Sequence, residues 1–147
     1  MLRRAREADF KFLRGIAEGP SDDALEAQIR DGGLRIFDAY GRAIGFLKFV
    51  VLWEQIPFVE AICLGEADRG QGFGSEMMRA WEGEMATKGF ARVVTSTQAN
   101  ETAQVFWRKI GYTDCGTLEL PGRPAEIFLE KLIAQKRRTR KTKQIKG

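Results

Sequence analysis

Apolar residues recur along this chain with two periods, one helical and one alternating, and each change of period marks a new element. Across residues 7–18, Phe10, Leu13 and the pair Ile16–Ala17 fall at helical spacing. Gly19-Pro20 interrupts that pattern. Ser21-Asp22-Asp23 then offers an N-cap with acidic first-turn residues for a second helix through Arg30, which Asp31-Gly32-Gly33 ends. Residues 34–40 and 43–53 are apolar and rich in β-formers, and Gly41-Arg42 between them predicts a hairpin. Pro57 sets this hairpin apart from a third apolar run, 58–64. A glycine-rich stretch follows, and then residues 75–88, where Met77, Met78, Trp81 and Met85 mark one face of a helix closed by Lys88-Gly89. Residues 92–97 read as a β-branched strand and 100–109 as a short helix with Gly111 as its C-cap. Residues 112–120 and 125–133 form a last hairpin around Pro121-Gly122-Arg123-Pro124. With residues 2–5 as a short first strand, the order is β-α-α-β-β-β-α-β-α-β-β. That order predicts an α/β (α+β) domain, a mixed sheet with helices on its faces.

At 147 residues, with 44% hydrophobic and 30% charged positions, the chain is long enough for one domain with its own core. Residues 43–53, the longest apolar run, are interrupted by Lys48 and too few to span a bilayer. Met1-Leu2-Arg3-Arg4 carries no apolar signal core. The expectation is a cytoplasmic protein with no membrane partner. Cys63 and Cys115 form no C-x-x-C pair, and histidine is absent, which argues against a zinc site or a histidine-based triad. No metal is predicted, and the chemistry falls to carboxylates, hydroxyls, thiols, lysine, bound water or backbone amides.

The net charge of +4 is unevenly spread. Residues 134–147 hold seven basic residues and no acid, which leaves 17 basic and 20 acidic residues in 1–133. The sequence therefore predicts a mildly acidic domain over 1–133 and a basic, disordered extension over 134–147. Weak contact with nucleic acid or ribosomes is the extension's alternative role. No aromatic residue interleaves it to stack on bases.

The chemistry concentrates in Arg69-Gly70-Gln71-Gly72-Phe73-Gly74-Ser75, between an apolar strand and a helix. Alternating glycines leave backbone N–H groups uncovered, and the helix start aims further N–H groups and the positive end of its dipole at the same loop. Such a loop suits a phosphate or pyrophosphate. The spacing is not the G-x-G-x-x-G of dinucleotide-binding folds, the next strand ends in Ser96-Thr97 rather than an acid, and a Gly-Lys-Ser/Thr element is missing.

Arg69-Gly70-Gln71-Gly72-Phe73-Gly74 resembles the (Arg/Gln)-x-x-Gly-x-(Gly/Ala) signature of the GCN5-related N-acetyltransferases. Asn100-x-x-Ala103-x-x-Phe106-Trp107-x-x-x-Gly111-Tyr112 is similar to that family's second hallmark, and the hairpin from Tyr40 to Phe46 looks like its second and third strands. The resemblance covers roughly residues 1–133. It implies a single-domain, mostly antiparallel sheet with a splayed pair of middle strands. It also implies acetyl-coenzyme A as acyl donor, with the amides of Arg69, Gly70, Gln71, Gly72, Phe73, Gly74 and Ser75 around its pyrophosphate. Ile62 and Leu64, with Cys63 between them, would offer backbone groups to the pantetheine arm, and an amide near Ile62 would polarise the thioester carbonyl. Asn100 would contact the arm, with Phe106 beside it.

The implied reaction is attack of a neutral amine on the thioester. An alkyl ammonium has a pKa of about 10.4 and must first lose a proton, whereas a thiol of pKa about 8.5 leaves readily as thiolate. Without histidine the base must be a carboxylate, acting directly or through water. Glu60 shares strand parity with Ile62 and Leu64, which predicts that all three side chains lie on one face. Glu54, at the end of the preceding strand, is the second candidate. The family's usual tyrosine acid is replaced by Trp107, which would pack over the acyl–sulfur region or fill core. Tyr112, Ser96 and Cys115 are weak stand-ins, so the acid role is unassigned. The alternative to an enzyme is a coenzyme A-binding or interaction module that kept the scaffold and lost turnover. The acceptor, a small-molecule or protein amine, cannot be named from these residues, although Glu54, Glu60 and Glu119 suit a cation. The last strands are candidates for a homodimer contact.

Overall fold

The computed structural model describes residues 1–133, and the basic extension predicted for 134–147 lies outside the described residues. Strands β1 (Leu2–Arg4), β2 (Leu34–Ala39), β3 (Arg42–Leu52), β4 (Ile56–Leu64), β5 (Arg92–Gln98), β6 (Thr113–Leu118) and β7 (Glu126–Leu132) form one sheet in the order β1-β2-β3-β4-β5-β7-β6. Every neighbouring pair is antiparallel except β4 and β5. Four α-helices accompany it, α1 (Phe10–Ile16), α2 (Asp22–Asp31), α3 (Phe73–Thr87) and α4 (Ala103–Lys109). The element order is the one the periodicity predicts.

Each helix has a local cause. Ser21 accepts the N–H of Ala24 at 3.2 Å and caps α2, and Gly32, at φ 84°, closes it in the left-handed conformation. A single 3-10 turn, Glu7–Asp9, precedes α1, so the first helix is shorter than the pattern over 7–18 predicts. α4 begins at Ala103 rather than Asn100, because the Glu101 carboxylate turns back to accept Thr97 Oγ1 and the N–H of Gln98, each at 3.0 Å. Pro57 belongs to β4 instead of preceding it. It lies near the strand start, ahead of the pairing with β5, where a missing donor is tolerated.

Two cores lie on opposite faces of the sheet. Ala5, Leu13, Ala17, Leu25, Ile29, Leu34, Ile36 and Phe46 join α1 and α2 to one face. Met77, Met78, Trp81 and Met85 of α3 pack with Leu47, Phe49, Val93, Trp107, Tyr112 and Leu129 on the other. Trp81 meets Phe49 edge-on at 5.5 Å. Its indole N–H is buried without a partner among the described residues, a cost of about 1–3 kcal/mol that burial of a ring this large outweighs. In the same layer the buried Glu82 accepts Tyr112 Oη at 2.7 Å and Lys131 Nζ at 2.9 Å. This arrangement ties α3 to the last strand and to the loop after α4.

Arg3 fastens the chain start. Its guanidinium donates twice to the buried Asp9 at 2.9 Å and through Nε to Asp38 at 2.6 Å. The Arg3 guanidinium, helped by the backbone N–H of Arg6, holds the Asp9 carboxyl below its usual 3.8 although burial opposes it. Because the folded-state value is depressed, the stabilisation is present above the unfolded value and is lost as pH falls through the folded one. Asp9→Asn should cost about 1–3 kcal/mol at pH 7, and the gap to wild type should narrow only below about pH 4. Urea unfolding of both proteins across that range measures it, and a gap constant down to pH 3 contradicts the assignment.

Candidate functional site

The glycine loop leaves β4 through Gly65 and a 3-10 turn, Glu66–Asp68, and enters α3 at Phe73. Gly70 and Gly72 adopt φ of 77° and 87°, which a side chain rarely tolerates, and space is open where their Cβ atoms would be. The first backbone bond of α3 is from the N–H of Glu76 to the carbonyl of Gly72. The six N–H groups of residues 70–75 donate to nothing among the described residues. They form a bare row of donors at a helix start, an anion cradle by geometry.

Neighbouring residues hold that cradle in place. Buried Asp68 receives the Arg42 guanidinium at 2.9 and 3.3 Å. Phe73 packs against Phe37 and Tyr40, each at 5.9 Å between centroids. A Cβ on Gly74 would lie 3.4 Å from the Phe106 ring, so Phe106 backs the helix start. Arg69 Nε donates to the carbonyl of Leu64 at 3.1 Å, and the Gln71 amide to Ala67 at 3.3 Å. These two side chains brace the loop; the Gln71 backbone amide belongs to the row of donors, whereas the Arg69 N–H closes the 3-10 turn on the Glu66 carbonyl at 3.5 Å.

Beside the cradle the sheet opens. β4 and β5 pair only at Phe58–Val94 and Val59–Thr95, and Thr95 Oγ1 donates to the carbonyl of Val59 at 3.1 Å. Beyond that bond residues 60–64 keep β3 on one edge and no strand on the other. The N–H of Gly65 donates to Ile44, so alternation along the antiparallel pair turns Ala61 and Cys63 toward β3 and the backbone groups of Ile62 and Leu64 toward the open edge. Their side chains pack on the α3 face, and those of Ala61 and Cys63 on the α1–α2 face. Asn100 is exposed in the turn between β5 and α4.

Glu60 departs from the parity prediction. The register passes from Lys48–Ala61 to Phe49–Val59, so Glu60 is the extra residue of a β-bulge. Its carboxylate pairs with Lys48 Nζ, and both residues line a cavity of about 340 Å3 on the α1–α2 face, opposite the side chains of Ile62 and Leu64. Glu54 is not brought to the opening. It occupies the β3–β4 turn, exposed, with φ of 59°, beyond the start of β4 at Ile56, which is itself about 13 Å along the strand from Glu60 at ~3.3 Å per residue.

The residues weighed for the acid role are placed elsewhere. Trp107 is buried in the core, edge-on to Phe106 at 5.1 Å and to Tyr112 at 5.2 Å. The Tyr112 hydroxyl is spent on Glu82, and burial together with that carboxylate pushes its pKa far up. Ser96 Oγ donates to Glu126 at 2.7 Å. Cys115 lies on β6, the outermost strand, two strands from the opening. Sequence reasoning missed Lys48 as Glu60's partner and the cavity beside them. The signal for Lys48 was present, a lone charge in an apolar strand.

The family model described as the acetyltransferase (GNAT) family matches residues 2–112. Comparison with curated proteins returns no match. Among solved structures, Ard1 from Thermoplasma volcanium superposes with a TM-score of 0.79 at 14% identity, over 92% of this chain and 98% of that one. The ribosomal-protein-S18-alanine N-acetyltransferase from Escherichia coli gives 0.75 at 13% identity, over 100% and 99%. YncA, a putative acetyltransferase from Salmonella typhimurium solved with acetyl-CoA, gives 0.72 at 12% identity, over 95% and 96%. At such identities the structural likeness is one of fold, and the match over residues 2–112 carries the assignment: the chain belongs to the GNAT family of acetyltransferases.

Proposed function

We propose that the protein transfers an acetyl group from acetyl-coenzyme A to a primary amine by direct attack. The carrying observation is the row of undonated N–H groups at residues 70–75 beside the open edge of β4. The donor set fits a pyrophosphate, and a side chain at Gly70 or Gly72 would demand a strained backbone. Ile62 would hold the pantetheine arm through both outward backbone groups and Leu64 through its N–H, its carbonyl being taken by Arg69 Nε, and Asn100 and Phe106 would flank it. Bound acetyl-coenzyme A supplies a thioester carbonyl that accepts the amine's lone pair and a sulfur that leaves with the C–S electron pair, taking up the nitrogen's second proton.

The chain's own residues do the remaining work. Glu60, on the lip of the opening, takes the first proton from the ammonium, directly or through water. Lys48 pairs with that carboxylate on the sheet side of the cavity. The Ile62 amide polarises the carbonyl, and the loop amides fix the donor so that orientation supplies much of the rate. Glu54, at the hairpin tip, is the weaker base. The acceptor is a small molecule or a protein amine. Protein amines merit testing because two structural neighbours are named as ribosomal-protein alanine N-acetyltransferases. A second reading is a module that binds coenzyme A without turnover. Trp107 in the core, with Tyr112 committed to Glu82, favours it.

Calorimetry with acetyl-coenzyme A should show binding, and Gly72→Val should weaken it at least ~10-fold with the circular dichroism spectrum retained, since β-branching opposes positive φ. Thiol release with an amine panel separates the readings, because a module binds the donor and releases none. In an active protein Glu60→Gln should lower kcat by roughly 10²–10⁴-fold with a smaller change in KM. Equal kcat in the variant removes Glu60 from the role. Tyr112→Phe should cost about 1–3 kcal/mol of stability on chemical denaturation while turnover persists. Loss of turnover in a folded Tyr112→Phe protein would restore Tyr112 as the acid.

A further inference from the structure

The cavity on the α1–α2 face holds chemistry that donor binding leaves unused. At about 340 Å3 it is near the small end of ligand pockets, which run from roughly 300 to 1,000 Å3. Ala17, Pro20, Phe46 and Ala61 give it an apolar lining above the fully buried Leu13 and Leu25, with Lys48 of β3 and Glu60 of β4 on its sheet side and Glu18 and Gln28 on its helix side. That ion pair is incomplete. Among the described residues Lys48 Nζ donates only to Glu60 Oε1, which leaves unused donors on the ammonium, and Glu60 Oε2 accepts nothing. The partly buried pair thus presents one free acceptor and free donors side by side, next to a surface that favours hydrocarbon.

We propose that this cavity takes a free α-amino acid with an apolar side chain, and that Lys48 selects it by its carboxylate. An α-amino acid carries its ammonium and carboxylate on one carbon, matching the adjacent Glu60 Oε2 and Lys48 Nζ. Its side chain then covers Ala17, Pro20 and Phe46. A simple amine fills the Glu60 half and leaves the Lys48 donors unanswered, and an amino-acid amide has no negative charge to offer them. The β4 residues that line the cavity, Glu60 and Ala61, directly follow the last β4–β5 pair, so an ammonium on Glu60 lies close to the start of the gap assigned to the thioester. The inference rests on the transferase reading of the same site and adds the acceptor's class.

The test offers leucine, leucinamide and 3-methylbutylamine (leucine without its carboxylate) to the full chain with acetyl-coenzyme A and follows thiol release. Wild-type kcat/KM for leucine should exceed that for either other amine at least ~10-fold, and Lys48→Gln should bring the ratio near one while Lys48→Arg keeps most of it. Ala17→Phe fills the bed without touching either charge and should lower the leucine-to-glycine ratio ~10-fold. Equal use of the three amines, or a leucine preference that survives Lys48→Gln, overturns the amino-acid assignment and leaves the transferase reading standing. A protein that binds acetyl-coenzyme A in calorimetry but acetylates none of the three also overturns the amino-acid assignment. A protein that does not bind acetyl-coenzyme A overturns the transferase reading, and this inference with it.

Discussion

The hydrogen bond from Thr95 Oγ1 to the carbonyl of Val59 marks the last point at which β4 and β5 behave as neighbours in a sheet. Everything proposed about the site depends on what happens next, when β4 continues for five residues with a partner on one edge only. An open edge inside a sheet is costly, because each buried and unpaired backbone group forfeits about 1–3 kcal/mol. It persists because both faces of the parted strand are packed. Ile62 and Leu64 are gripped on the α3 side and Ala61 and Cys63 on the α1–α2 side, so the strand cannot swing back without emptying one core. Its outward N–H groups are therefore held without a strand partner.

The bulge at Glu60 and this parting belong together. An inserted residue bends its strand and strengthens the local twist, and here it falls one residue after the last β4–β5 pair. It also moves a carboxylate across the sheet. Without it Glu60 would share the face of Ile62 and Leu64. With it, the carboxylate meets Lys48 under α1 and α2. The open backbone edge at Ile62 and the Glu60 carboxylate on the α1–α2 face thus come from neighbouring residues of one strand.

Much of this was legible in the sequence, for identifiable reasons. Hydrophobic period, capping residues and glycines act over a few positions, so the element order, the Ser21 cap and the glycine loop could be read directly. What failed was anything set by pairing across the sheet. Parity counting placed Glu60 on the wrong face because a bulge is a property of two strands and leaves no mark on one. Pro57 looked like a boundary because sequence does not show that its strand lacks a β5 partner there. The start of α4 shifted because Glu101 turned back onto the end of β5, a choice between two acceptable hydrogen-bond schemes. Lys48 was visible as an isolated charge, but its partner was not.

Trp107 in place of a tyrosine bears less on catalysis than its position in the motif suggests. The ammonium of an alkyl amine lies about three pKa units above neutrality, and each unit costs about 1.4 kcal/mol to overcome, so deprotonation is the larger demand on the protein. A thiolate leaving group with a conjugate acid near 8.5 is only about one and a half units from neutral pH and departs with little help. The chain's resources match that asymmetry. A carboxylate stands on the lip of the opening, while the one buried tyrosine in the motif, Tyr112, is committed to holding Glu82. With Tyr112 tied into the α3–β7 core, Trp107 serves as packing, and no side-chain acid is required: the sulfur leaves as thiolate and takes its proton from the attacking nitrogen or from solvent.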